Sequence, residues 1–316
     1  MENPFDRISF YLGDKDLVAL SLANKQALIW TFPEKVSRTL PNLLPAVVEG
    51  NQDKAERIIK LNPGFLTNND WATTDHMGRN FSGKTPFQAA LCTLDAPMCE
   101  MMKTYFPAHE GGQAEMERQF YEIFPEGLEA HVQEQEKNAF DFSEILKAIK
   151  KASPAEVTAA LNKEFDADLP LIHALNEFRK KFQEQSLSET VFNPFHILKA
   201  RELYDAEFDN LGNNQYWDKR DLFWRQVIGF TQRWASAPFK QALVQGIYYI
   251  VGEKEPLRRS FDYRFGGRPI MPVSDFSGEG FDYARGMGGN PFLFSKRLCK
   301  ITSSHIQGRC EKRAKM

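Results

Sequence analysis

The chain has 316 residues, 42% of them hydrophobic and 26% charged, with a formal net charge of -2. This is the balance of a globular protein with room for two or three domains, and it gives no global attraction to nucleic acid or to an anionic membrane. No apolar run approaches the roughly 20 residues needed to span a bilayer, and four cysteines are too few for a disulfide framework, which fits a reducing cytosol.

The opening Met1-Glu2-Asn3-Pro4 has neither the positive region nor the hydrophobic stretch of a signal peptide, so any export is expected to do without one. Residues 4–30 are dense in apolar side chains, divided by a turn at Gly13-Asp14-Lys15. About 30 residues cannot bury that much apolar surface alone, so the segment must pack on the rest of the chain or on a partner. The spacing of Pro4, Ile8, Ser9, Tyr11, Leu12, Asp16, Leu17, Leu20, Ser21 and Lys25 resembles an F-box. That resemblance implies docking on a Skp1-type adaptor, with Pro4, Phe5, Ile8, Leu12, Leu17 and Leu20 as the adaptor-facing surface. The competing reading is a helical cap on the first repeat of a stack.

Leu43-Leu44-Pro45-Ala46-Val47-Val48-Glu49-Gly50-Asn51 matches the ankyrin phrase L-H-x-A-A-x-x-G-N, and Asn62-Pro63-Gly64 ends the helix that follows. A second copy opens at Gly83-Lys84-Thr85-Pro86-Phe87-Gln88-Ala89-Ala90, where the Thr85 hydroxyl can start a helix and Pro86 occupies its first turn. Gln88 takes the usual His position and Leu94 the usual Gly. The two copies lie farther apart than the roughly 33-residue ankyrin period; the excess falls in 67–82, a long hairpin-like loop. Loops on one face of a repeat stack are its usual binding surface, so Trp71, His76 and Arg79 are the expected partner-binding residues there.

Residues 107–138 are polar, and Met116, Phe120, Ile123 and Phe124 recur at helical spacing, so at least one helix is expected there. Further helices are expected from Ser143, from the capping-box-like Ser153-Pro154-Ala155-Glu156, and over 169–185, 192–208, 217–234 and 238–252. Abundant phenylalanine predicts aromatic-rich cores. From Pro256 to Pro291 glycine and proline mark loop or short strand, and the tail from Lys296 is basic. The fold expected is mainly α: an F-box-like segment over 1–34, two diverged ankyrin-type helix pairs with a following helix over 38–135, and a mostly helical domain over 139–316.

Chemistry-bearing residues are sparse. Cys92 and Cys99 sit in apolar helical settings and read as buried structural thiols. Cys299, His305 and Cys310 have the wrong spacing for zinc, and Asp275, Glu279 and Asp282 fit no metal-loop motif. No metal or cofactor is therefore expected. Arg258, Arg259, Arg264 and Arg268, interleaved with Phe261, Tyr263 and Phe265, suit either phosphate contacts or a half-buried strand, and the alternation favours the strand.

The whole order of segments resembles the ankyrin-repeat effectors of Legionella-type intracellular bacteria. Met98-Cys99-Glu100-Met101-Met102, the Trp71, Asp75 and Gly78-Arg79 loop, and Arg258-Arg259-Ser260-Phe261 before Gly280-Phe281-Asp282-Tyr283-Ala284 carry it. The resemblance implies secretion into a host cytoplasm and binding of host proteins, with no nucleic acid and no membrane insertion. An effector enzyme with its site in 256–310, and a non-catalytic scaffold, are the alternatives.

Overall fold

The computed structural model describes residues 42–212, 217–245, 254–260, isolated positions 13, 15, 16, 19 and 250, and the backbone of 262–265 and 268–272. The architecture is mainly α-helical, as expected.

The first helical layer holds two helix pairs, α1 (Leu43–Val48) with α2 (Gln52–Leu61) and α3 (Pro86–Cys92) with α4 (Ala96–Lys103). The pairs are built alike, 44 residues apart. In α1, Gly50 N–H donates to Val47 O and Asn51 N–H to Ala46 O; in α3, Leu94 N–H donates to Leu91 O and Asp95 N–H to Ala90 O. These are the two bonds of a Schellman motif, which needs a left-handed residue just past the helix. Gly50 (φ 68°) and Leu94 (φ 56°) fill that place. The next residue in each pair then caps the second helix, Asn51 accepting from Lys54 N–H and Asp95 from Met98 N–H. Leu94 adopts a conformation that Cβ sterics disfavour by about 1–2 kcal/mol, and its side chain packs between two apolar clusters in return.

The start of α3 follows its sequence. The Thr85 hydroxyl accepts from Gln88 N–H, the Gln88 side chain accepts from Thr85 N–H at 3.1 Å, and Pro86 occupies the first turn. Such a cap is worth about 1 kcal/mol. The Asn62 side chain ends α2 by accepting from Gly64 N–H, and a 3-10 turn (Pro63–Thr67) follows. Helices α5 (Glu110–Ile123) and α6 (Gly127–Lys137) close this core, with Phe87, Phe124, Met98 and Met102 fully buried. Cys92 and Cys99 lie in it as buried thiols, and desolvation pushes the Cys92 pKa up to about 12.

The second layer comprises α7 (Ser143–Lys151), α8 (Pro154–Leu161), α9 (Pro170–Ser188) and α10 (Phe195–Ala206). It continues with α11 (Asp218–Leu222), a π-helical turn (Phe223–Ile228), α12 (Gly229–Arg233) and α13 (Ala237–Gln245). The aromatic core expected from composition is present: Phe140, Phe142, Phe178, Phe182 and Phe230 form a ring network with centroids 5.0–6.1 Å apart. Ser153 and Glu156 form the capping box that opens α8. Ser143, expected as the cap of α7, lies instead inside its first turn. The Asp141 carboxylate accepts Ser143 N–H at 2.9 Å, and bonds from Ser143 hold its pKa below the usual carboxylate value. Near the C-terminus β1 (Asp262–Phe265) pairs antiparallel with β2 (Arg268–Pro272), with a bulge between Tyr263 and Arg264. This is the strand that the aromatic alternation favours.

Three contacts lace the C-terminal half across the turns of both helix pairs. Ser236 Oγ donates to Thr93 O at 2.7 Å, and Gln241 Nε2 donates to Gly50 O at 3.4 Å. Arg259 makes a two-pronged bond to Asp95, with Nη1 to Oδ2 and Nη2 to Oδ1 both at 2.8 Å, and Nη2 also reaches Gln52 Oε1 at 2.6 Å. Asp95 is fully buried. The second turn is thereby covered by the chain itself, while at the first Gly50 is buried and Glu49 and Asn51 stay exposed.

Candidate functional site

The loop before α3 is a hairpin, with Thr74 bridged to Asn80 and Phe81 N–H donating to Thr73 O. Burial alternates along it: Asp75, Met77, Arg79 and Phe81 point inward, while Thr74, His76, Gly78 and Asn80 face out. The Asp75 carboxylate organises the tip, accepting from Met77 N–H at 2.9 Å, Arg79 N–H at 3.0 Å and Arg79 Nε at 2.7 Å. The Arg79 guanidinium lies 5.5 Å from the centre of the Phe192 ring. Arg79 is 5% exposed and docks the loop on the second helical layer instead of offering it to solvent. Trp71 is half-buried against the first core, with its indole N–H buried and unpaired. His76 alone of the expected loop residues stands exposed. The three do not converge. The physical reason is the two-residue period of a hairpin, which puts Arg79 on the same inward face as Asp75.

Pro4, Phe5, Ile8, Leu12, Leu17 and Leu20 lie outside the described residues. So do Asp275, Glu279, Asp282, Cys299, His305 and Cys310. Among the described residues no group of His, Cys, Asp and Glu is placed to hold a metal ion, and no helix is long and apolar enough to cross a membrane.

Among the described residues lies a cleft of about 530 Å³, within the range of ligand-binding pockets. One wall is the end of α5 and the face of α6; the other is the end of α9 and the extended segment 189–193. The walls are bolted together. Gln135 Nε2 donates to Phe192 O at 3.1 Å, Asn193 Nδ2 donates to Gln135 O at 3.0 Å, and Gln185 Nε2 donates to Asn138 O at 2.8 Å. Phe192 N–H also donates to Cys92 O, tying the same segment to the end of α3.

Three carboxylates line the cleft, Glu122, Glu134 and Glu189, against one ammonium, Lys84. Two of them are held from behind. Glu122 accepts from Gln88 Nε2 at 2.7 Å and from Arg118. Glu189 pairs with His196 Nε2 at 2.8 Å. Because Phe140 N–H donates to His196 Nδ1 at 2.9 Å, that nitrogen carries no proton; Nε2 carries it and donates to Glu189. His131 also lines the cleft. Desolvation lowers its pKa, outweighing the nearby Glu134 and Glu189, so it is neutral at pH 7; with Glu122 paired to Arg118, the negative excess of the cleft rests on Glu134 and Glu189 against Lys84.

Sequence reading missed the cleft, because its walls come from segments far apart in the chain, 47 residues even at the Gln185–Asn138 bond. One local signal exists: residues 110–137 carry eight glutamates against Arg118 and Lys137, a helix pair far more acidic than the chain average.

The fold and site thus define a mainly α-helical protein with paired helix–turn–helix units and a rigid acidic cleft. No family model matches the chain, and no solved structure matches it. It is 23% identical over 212 residues to an uncharacterized protein of Coxiella burnetii (strain RSA 493 / Nine Mile phase I). The match takes in 62% of this chain and 58% of the relative, so the chain spans less than two thirds of that protein's length.

Proposed function

We propose that the protein is an interaction adaptor: a secreted bacterial effector that holds a host protein in the host cytoplasm and, through an F-box-like segment at 4–30, recruits a Skp1-type adaptor of a cullin ubiquitin ligase. The observation that carries the interaction part is the pair of helix–turn–helix units matched bond for bond 44 residues apart. This geometry supports the ankyrin reading of Leu43–Asn51 and Thr85–Asp95, and ankyrin-type stacks serve chiefly as binding surfaces. The preformed cleft beside the stack adds a place for a partner. The ligase arm rests on the sequence spacing of Pro4, Ile8, Leu12, Leu17 and Leu20. In this reading no group on the chain performs chemistry.

The test is binding of the full chain to a purified Skp1-type adaptor, with Leu12→Asp as the comparison. Capture that Leu12→Asp abolishes supports the ligase arm. Absence of capture, or capture indifferent to that change, removes the arm and leaves the scaffold reading, in which 4–30 caps the repeats.

A further inference from the structure

We propose that the cleft between α6 and the 189–193 segment binds an extended, lysine- and arginine-bearing segment of a partner protein. The inference deepens the adaptor reading and rests on it.

Shape comes first. At about 530 Å³ the cleft holds a few residues of an extended chain, far short of a folded domain. Its walls are pinned by the three side-chain bonds from Gln135, Asn193 and Gln185, so it is formed before a ligand arrives, which lowers the ordering cost of binding.

Charge decides the occupant. Glu122 is balanced by Arg118, Glu134 and Glu189 face Lys84, and neutral His131 adds no positive charge at pH 7. The surrounding α5–α6 pair extends the negative field with Glu126, Glu129 and Glu136. An acidic peptide or phosphate group would meet repulsion here, whereas a cationic segment is steered in. Glu122 and Glu189 are already oriented by Gln88, Arg118 and His196. Glu189 sets the field, and exposed Glu134 is left to make the direct contact.

The turn row argues for this location over others. Ser236, Gln241 and Arg259 cross the turns at Gly50 and Leu94, and the inward side of the 67–82 loop is spent on Asp75–Arg79. The cleft beside the helix pairs remains open.

The experiment is fluorescence anisotropy with the full chain and a labelled Lys/Arg-rich nonapeptide, its all-Glu counterpart serving as control. The basic peptide should bind and the acidic one should not, and affinity should fall as salt rises from about 50 to about 300 mM. Glu134→Lys on one wall and Thr190→Arg on the other should each weaken binding at least about tenfold. Both positions are exposed, so neither change disturbs a core. Equal binding of the two peptides, or affinity unchanged in both variants, overturns the proposal. A third variant, Lys312→Ser/Arg313→Ser/Lys315→Ser, tests the chain's own basic tail. If the peptide binds only to that variant, the cleft belongs to the tail and the partner proposal fails. A chain that captures the Skp1-type adaptor but ignores the basic peptide loses this proposal and keeps the adaptor reading; the opposite result loses the ligase arm and keeps the cleft.

Discussion

Replacing Arg259 by alanine is the perturbation that most sharply tests how the two halves are joined. Its guanidinium makes two parallel bonds to Asp95 at 2.8 Å and a third to Gln52 at 2.6 Å. The Asp95 side chain is 0% exposed and that of Arg259 15%, so the pair behaves as a buried one. Removing one partner of such a pair costs about 3–5 kcal/mol, because the remaining charge stays in a poorly solvated place. Asp95 keeps one bond, to Met98 N–H at 3.0 Å, which puts the expected cost of Arg259→Ala near the lower end, about 3 kcal/mol. That is a large share of a typical domain's 5–15 kcal/mol. Urea unfolding should show a marked drop in midpoint. Asp95→Asn preserves the helix cap and removes only the charge, so a double-mutant cycle of Asp95→Asn with Arg259→Gln isolates the pair. A coupling of about 2–3 kcal/mol is expected. A cost below about 1 kcal/mol for Arg259→Ala, the value of an exposed bridge, would refute the argument that this residue bolts the C-terminal half onto the turns.

Gly50→Ala should destabilise by about 1–2 kcal/mol in the same assay, since φ is 68° and the new Cβ would sit 2.9 Å from Gln241 Oε1; an unchanged midpoint would contradict the Schellman geometry. Gly112→Ala should cost more than an ordinary helix substitution, because its Cβ would fall 2.3 Å from the Pro107 carbonyl oxygen, and reduced soluble yield or a lowered melting temperature checks it. Lys240 is 5% exposed, and burial lowers its pKa to about 7, with Arg79 and Arg233 adding to the effect and Asp75 opposing it. Between pH 7 and the ordinary lysine value near 10.5 the unfolded chain holds a proton that the folded chain does not. Stability therefore rises with pH across that window, by at most about 1.4 kcal/mol per unit. Lys240→Met lacks this slope, so its advantage over the native chain should be largest at pH 7 and below and shrink toward pH 9; parallel curves would show that the amine is not buried as described.

Much of the local architecture could be read from single stretches of sequence. Thr85-Pro86 with Gln88 three residues on, and Ser153-Pro154 with Glu156, declare their helices because a capping box uses only neighbours. Gly50 and Leu94 could be matched as equivalent positions, and the structure places both in the left-handed region although only one is glycine. At one helix start the outcome differs: α7 opens on Phe142 with no side-chain cap, and Ser143, inside the first turn, donates its N–H to Asp141. Arg79 looked like a surface anchor because its partner, Asp75, becomes its neighbour only once the hairpin sets which side chains share a face. The cleft was illegible for a stronger reason. Its carboxylates come from α5, α6 and the end of α9, and nothing local links Glu122 and Glu134 to Glu189. The mainly helical class and the aromatic cores survive from composition and period alone; the joining of the halves by Arg259 and Asp95, 164 residues apart, does not.

Hydrogen exchange of the full chain with and without the basic nonapeptide tests the central claim most directly. Slowed exchange at 131–138 and 188–193, with the turns at 49–51 and 93–95 equally protected in both states, is the predicted result. Protection gained at those turns, with the cleft unchanged, would mean that the partner docks on the turns instead.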